Sequence, residues 1–191
     1  AKANLTLKVN DQGDITYGDK INPGYTAETL LGSDTVSNVT FTVDGNDYNA
    51  DTYYGNGNHT IAIKEYTVND GNNGGNYNVT LESDGFSVAQ RAITITANSS
   101  SVTYNGADQS LTGGTITSGS LVEGDTLAVT GSISGRNAGS YDYVLNADGI
   151  TITNSNGDVE SNYAITFVDG KLDIAKANLT LKVNDQGDIT Y

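Results

Sequence analysis

The seventeen residues Ala1–Tyr17, AKANLTLKVNDQGDITY, recur letter for letter at Ala175–Tyr191. The offset from position 1 to position 175 sets a period of 174 residues. A chain that restarts its own sequence must fold as units that can be set one after another, which is the constraint of stalks, fibres and arrayed binding modules. A weaker repeat lies inside the period. AKANLTLKVND from Ala1 aligns with AQRAITITANS from Ala89, LLGSDT from Leu30 with LVEGDT from Leu121, and GNYNVTLESDGFSVAQ from Gly75 with SNYAITFVDGKLDIAK from Ser161. The period therefore reads as two diverged modules, 1–90 and 91–175. Residues 176–191 supply the first strands of the next copy. Each module is of a size that carries one small core.

Apolar residues alternate with polar ones almost throughout. Leu5, Leu7 and Val9 are separated by Thr6 and Lys8, and Tyr163, Ile165 and Phe167 by Ala164 and Thr166. A period of two with Thr on the opposite face predicts half-buried antiparallel strands. Asn-Gly and Asp-Gly pairs punctuate the strands at residues 44–45, 56–57, 70–71, 84–85, 105–106, 156–157 and 169–170. They predict tight hairpins, the plainest joining Tyr163–Phe167 to Leu172–Ile174, with a counterpart joining Tyr77–Leu81 to Phe86–Val88. Adjacent apolar residues break the alternation at Ala27–Leu31 and Ser118–Glu123, where at most one short helical turn per module is expected. The fold class expected is mainly β: two tandem small antiparallel β domains forming an elongated rod. VAQRAITI and IAKANLTL join the modules with no Gly, Pro or Ser spacer, so the array is expected to be stiff.

Twenty-three acidic residues against nine basic ones give a formal charge of −14. That balance disfavours nucleic acid and anionic membrane surfaces as partners. Without Cys there is no disulfide, thiol nucleophile or cysteine zinc site. His59 is the single histidine, in the stretch GNGNHTIAIK, and is expected to be a surface turn residue. No nucleophile elbow, HExxH or phosphate loop is present, so no catalysis and no cofactor are expected. Asp44–Asp51 is oxygen-rich but has Tyr48, Asn49 and Gly55 where an EF-hand needs an oxygen ligand, Gly and Glu. Asp148, Asp158 and Glu160 follow no recognised ligand spacing. Calcium at a module junction therefore has no motif behind it, and a metal site stays unassigned. Tyr53 and Tyr54 have no counterpart in the second module and are the candidate ligand contacts, since exposed aromatic rings stack on sugars.

ANLTLKVND…ITYGD resembles the MBG repeat of the YGX type. AITITANSSSVTYNG, with NAGSYDYVL and SNYAITFVDGKLDI after it, resembles the related YDG repeat. Such modules alternate in very large bacterial surface adhesins, including filamentous-haemagglutinin-like proteins. The resemblance implies grasp-like β domains that are extracellular, at the bacterial surface or secreted, and a role in attachment, aggregation or biofilm. On that reading the chain is a structural stalk or spacer projecting an adhesive region, and its partners are neighbouring repeats of the same chain. Two alternatives stand beside it. One is a weak module for host or matrix glycans such as mucin, acting by avidity. The other is a self-assembling extracellular fibre subunit, pairing through residues 177–191, where Leu179, Leu181 and Val183 repeat the first strand.

Overall fold

The period-two pattern becomes nineteen strands among the described residues of the computed structural model, which are 1–184 and Gly187. In the first half of the chain they are β1 (Ala3–Val9), β2 (Ile15–Thr16), β3 (Tyr25–Glu28), β4 (Thr35–Val43), β5 (Asn46–Asp47), β6 (Gly57–Asn69), β7 (Tyr77–Glu82) and β8 (Asp84–Ala89). In the second they are β9 (Arg91–Ala97), β10 (Ser100–Thr103), β11 (Gln109–Thr112), β12 (Gly114–Ser118), β13 (Thr126–Val129), β14 (Ser132–Gly135), β15 (Gly139–Tyr143), β16 (Ile150–Asn154), β17 (Gly157–Asp158), β18 (Tyr163–Val168) and β19 (Gly170–Ala175). The protein is mainly β. Its compact units number two. One comprises Ala1–Ile93 together with Ser120–Thr126 and Ile152–Ile165. The other comprises Thr94–Gly119, Leu127–Thr151 and the chain from Thr166.

In the first unit, β1 lies between β3 and β7, antiparallel to β3 and parallel to β7. Its inward residues Leu5, Leu7 and Val9 are wholly buried, while Asn4 and Lys8 face out. A second sheet runs β2-β8-β6-β4-β5 and buries Val43, Ile61, Ile63, Phe86 and Val88. Each such aliphatic or aromatic side chain contributes about 1.5–3 kcal/mol of transfer free energy. In the second unit, β12 pairs antiparallel with β9, and β19 lies between β10, parallel, and β15, antiparallel. Ile95, Tyr143, Leu172 and Ile174 are buried there. The internal sequence repeat is thus a repeat of topology. β2 runs parallel to β8 as β10 does to β19, and Tyr17 N–H donates to Ala89 O (2.9 Å) as Tyr104 N–H does to Ala175 O (2.8 Å).

Several expectations are corrected. Some sheets are mixed: among the described residues the ladders β1–β7, β2–β8 and β10–β19 are parallel, because in each the chain returns by a long connection and not by a hairpin. The two expected hairpins across Asp84-Gly85 and Asp169-Gly170 do not exist. β7 belongs to the β1 sheet and β8 to the β6 sheet. Likewise β18 belongs to the sheet ordered β12-β9-β18 and β19 to that ordered β10-β19-β15. A single residue, Ser83 or Asp169, carries the chain from one sheet into the other. Neither Gly85 nor Gly170 has a positive φ. At Gly170 the demand is for space, since a Cβ there would sit 2.0 Å from Asn98 O. By contrast Asp44-Gly45 is the two-residue hairpin predicted, with φ of 50° and 79° and β4 paired to β5.

The helical turns are also displaced. Ala27–Leu31 continues β3 and then bends, and a tight turn closes it through Asp34 N–H to Leu31 O; Asp125 N–H to Val122 O closes the equivalent turn in 118–123. The two single-turn 3-10 helices are Ala147–Gly149 and Glu160–Asn162, so the second module carries two and the first none among the described residues. The Leu-Leu and Leu-Val pairs serve a turn whose backbone is captured by a tyrosine, described below, and that capture replaces the helical bonds.

His59 is not a surface turn residue. It lies in β6, its side chain 15% exposed. The ring stacks on Phe86 at 5.1 Å, with Nδ1 2.7 Å from Asp44 Oδ2 and Nε2 2.8 Å from Gly55 O. The Asn/Gly-rich loop from Asn69 to Asn76 is organised by Asp70, whose carboxylate accepts from the backbone N–H groups of Asn72, Gly74 and Asn76 at 2.8, 2.8 and 3.0 Å.

Candidate functional site

The densest polar arrangement in the first unit is built on a tyrosine and an aspartate, and it occurs twice. Tyr77 opens β7 with its ring buried. Its hydroxyl donates to Asp34 Oδ2 at 2.7 Å and accepts from Leu31 N–H at 2.9 Å. Tyr163 opens β18 in the same way, donating to Asp125 Oδ2 at 2.6 Å and accepting from Val122 N–H at 2.9 Å. One hydroxyl thus satisfies a turn amide and a carboxylate together, tying a loop to the end of a strand.

At the second occurrence a further tyrosine joins. Tyr17, just after β2, is 3% exposed and donates its hydroxyl to the same Asp125 Oδ2 at 2.9 Å. Its ring meets that of Tyr163 edge to face, centroids 5.4 Å apart at 84°. Asn154 Nδ2 donates to Asp125 Oδ1 at 2.9 Å, so the carboxylate takes three donors. Burial, and then the hydrogen bond to Asp125, push the Tyr17 hydroxyl up to about 12. The same two causes, in the same order, raise Tyr163 further. Gly18 follows Tyr17 with φ of +99°, and a Cβ there would lie 2.7 Å from Val122 Cγ2, so glycine lets the two segments close. Arg91 spans them: Nε and Nη2 donate to Ser120 O and Oγ at 2.8 and 3.0 Å, and Nη1 to Tyr17 O at 3.4 Å. Asn56 N–H to Asn162 Oδ1 (2.8 Å) and Gln90 Nε2 to Ser161 O (3.0 Å) complete the seam.

The two candidate ligand tyrosines point to different places. Tyr53 lines an open cleft of about 460 Å³ with Asp51, Glu123, Asp125 and Asn156, and Lys20 Nζ stands 5.0 Å from its ring centroid while bonded to Asp51. Tyr54 packs into an aromatic cluster, 5.8 Å from Phe86 and 5.6 Å from His59. The cleft wall is carboxylate, amide, hydroxyl and phenol, suited to hydroxyl-rich or cationic groups. Among the described residues no group of three or more His, Cys, Asp or Glu side chains is placed to hold a metal ion.

The alignment of LLGSD with LVEGD and of GNY with SNY puts Tyr77 and Tyr163, like Tyr17 and Tyr104, at equivalent places, which favours a structural role for them, but it assigns Asp34 and Asp125 none. The paired recurrence was the available signal. What it lacked was the pairing itself, which joins residues 38 to 108 positions apart.

A mainly β chain of twice-used mixed sheets, each closed by the same tyrosine–aspartate capture, is a β-rich repeat module. Residues 93–173 match the MBG domain (YGX type). The match falls on the half whose motifs resemble the YDG repeat, and it takes in Val122, Asp125 and Tyr163. Among curated proteins none matches the chain.

Proposed function

We propose that the chain is one period of a structural spacer in a large extracellular adhesin, at the bacterial surface or secreted. Each period lengthens a stalk that carries an adhesive region outward for attachment, aggregation or biofilm growth. The observation that carries this reading is the verbatim return of Ala1–Tyr17 at Ala175, with a period of two related β modules between. A single residue, Gln90, lies between β8 and β9, too little chain for a flexible linker. The acidic surface keeps neighbouring stalks apart by repulsion. The function is geometric and non-catalytic, and its immediate partners are the adjoining repeats.

Small-angle scattering on a chain of two full periods tests it. A module of this size has a radius of gyration of about 12 Å, so four in series predict a rod on the order of 120–150 Å long. A short, broad distribution of distances would contradict the spacer.

A further inference from the structure

Two open surfaces of this chain are the separated halves of the contact made at Asp125. Tyr104 is presented by the same backbone arrangement as Tyr17, after a strand parallel to the module's last strand and with its N–H on the equivalent alanine carbonyl. Yet Tyr17 is 3% exposed and Tyr104 is 40% exposed. On the receiving side, Leu31, Asp34 and Tyr77 reproduce Val122, Asp125 and Tyr163 bond for bond. Val122, covered beside Tyr17 and Gly18, is 6% exposed, whereas Leu31 is 59% exposed. Asp125 takes two tyrosine hydroxyls and Asp34 takes one. The residue after Tyr104 is Asn105 where the other half has Gly18, and its side chain is turned into its own loop, accepting from Ala107 N–H at 2.9 Å.

We propose that Tyr104 docks on the Leu31–Asp34–Tyr77 face of the copy that follows in the same chain, donating its hydroxyl to that copy's Asp34 and covering its Leu31. The occupant is set by the sequence. Ala175 restarts the repeat, and Lys176 stands between Ala175 and Ala177 as Gln90 stands between Ala89 and Arg91. The contact is head-to-tail and does not close on itself, so every period engages the next.

This deepens the spacer reading, and the two fail separately. A rod whose Tyr104 stays reactive sinks the docking alone, and a protected Tyr104 in a compact chain sinks the spacer alone. The test is tyrosine nitration by tetranitromethane, read by mass spectrometry. It uses residues 1–174 followed by the whole 191-residue chain, with Ser101→Thr in the second copy as a mass tag. Tyr104 of the first copy should nitrate about ten times more slowly than Tyr104 of the second, the protection given by about 1.4 kcal/mol of docking. Leu31→Lys in the second copy, at an exposed position that leaves the Tyr77–Asp34 bond intact, should abolish the difference. Equal rates in the unsubstituted chain would overturn the proposal. So would protection that survives Leu31→Lys, or that appears in the single-period chain as its concentration rises.

Discussion

At the scale of the residue, a phenol is used as a two-sided connector. Tyr77 and Tyr163 each satisfy a turn amide and a carboxylate that would otherwise compete for water, and the cost of leaving either unmatched is what fixes the turn. This use has a pH signature. The Tyr17 hydroxyl is raised from its ordinary 10.0 to about 12 by burial and then by its bond to Asp125. A group raised in the folded state contributes its full stability below its unfolded value and loses it as pH climbs through the folded one. The difference in unfolding free energy between the natural chain and Tyr17→Phe should therefore be constant up to about pH 10 and shrink from there to about pH 12. Urea titrations at stepped pH read it directly, and a difference that stays constant to pH 12 would contradict the assignment. None of this was legible in the sequence. A count of twelve tyrosines against three phenylalanines does not say which carboxylate a hydroxyl reaches.

At the scale of the element, strand positions were legible because burial on one face imposes a period of two, and β1, β7 and β18 lie where alternation placed them. Which strand pairs with which was not. Asp-Gly reads as a hairpin signal, yet at the starts of β8 and β19 it marks a change of sheet, and at Gly170 the extended glycine makes room for a neighbouring backbone. Gly85 and Gly170, which lie one position apart when the modules are aligned, differ in what surrounds them. Gly170→Ala pushes a Cβ to 2.0 Å from Asn98 O and should cost about 1–3 kcal/mol or more. Gly85→Ala meets only His59 O at 3.5 Å, without positive φ, and should change stability by less than about 0.5 kcal/mol. Equal effects in chemical denaturation would show that the close approach of Asn98 O does not select Gly170.

At the scale of the whole molecule, one sequence meets two fates. Leu5, Leu7 and Val9 are wholly buried in β1 between β3 and β7. Leu179, Leu181 and Val183, the same residues of the restarted copy, are 82%, 84% and 96% exposed in a stretch without assigned strand. β1 pairs with Tyr25–Glu28 and Tyr77–Glu82, and Ala175–Tyr191 contains no counterpart of either segment. Strand propensity is therefore subordinate to the presence of partners. The modular period was legible from self-similarity alone. The tyrosine from one repeat that sits on the aspartate of the next was not, since it joins positions 108 apart.

Asp125, shared by Tyr17 and Tyr163, joins the two modules, and a double-mutant cycle on Tyr17→Phe and Asp125→Ala tests that role. Tyr17→Phe should cost about 1.5–3 kcal/mol in the natural background and little once Asp125 is alanine, a coupling on the order of 1–3 kcal/mol. Loss of the same stability in both backgrounds, with a coupling of about zero, would mean that Tyr17 is held by packing alone and that Asp125 does not join the repeats.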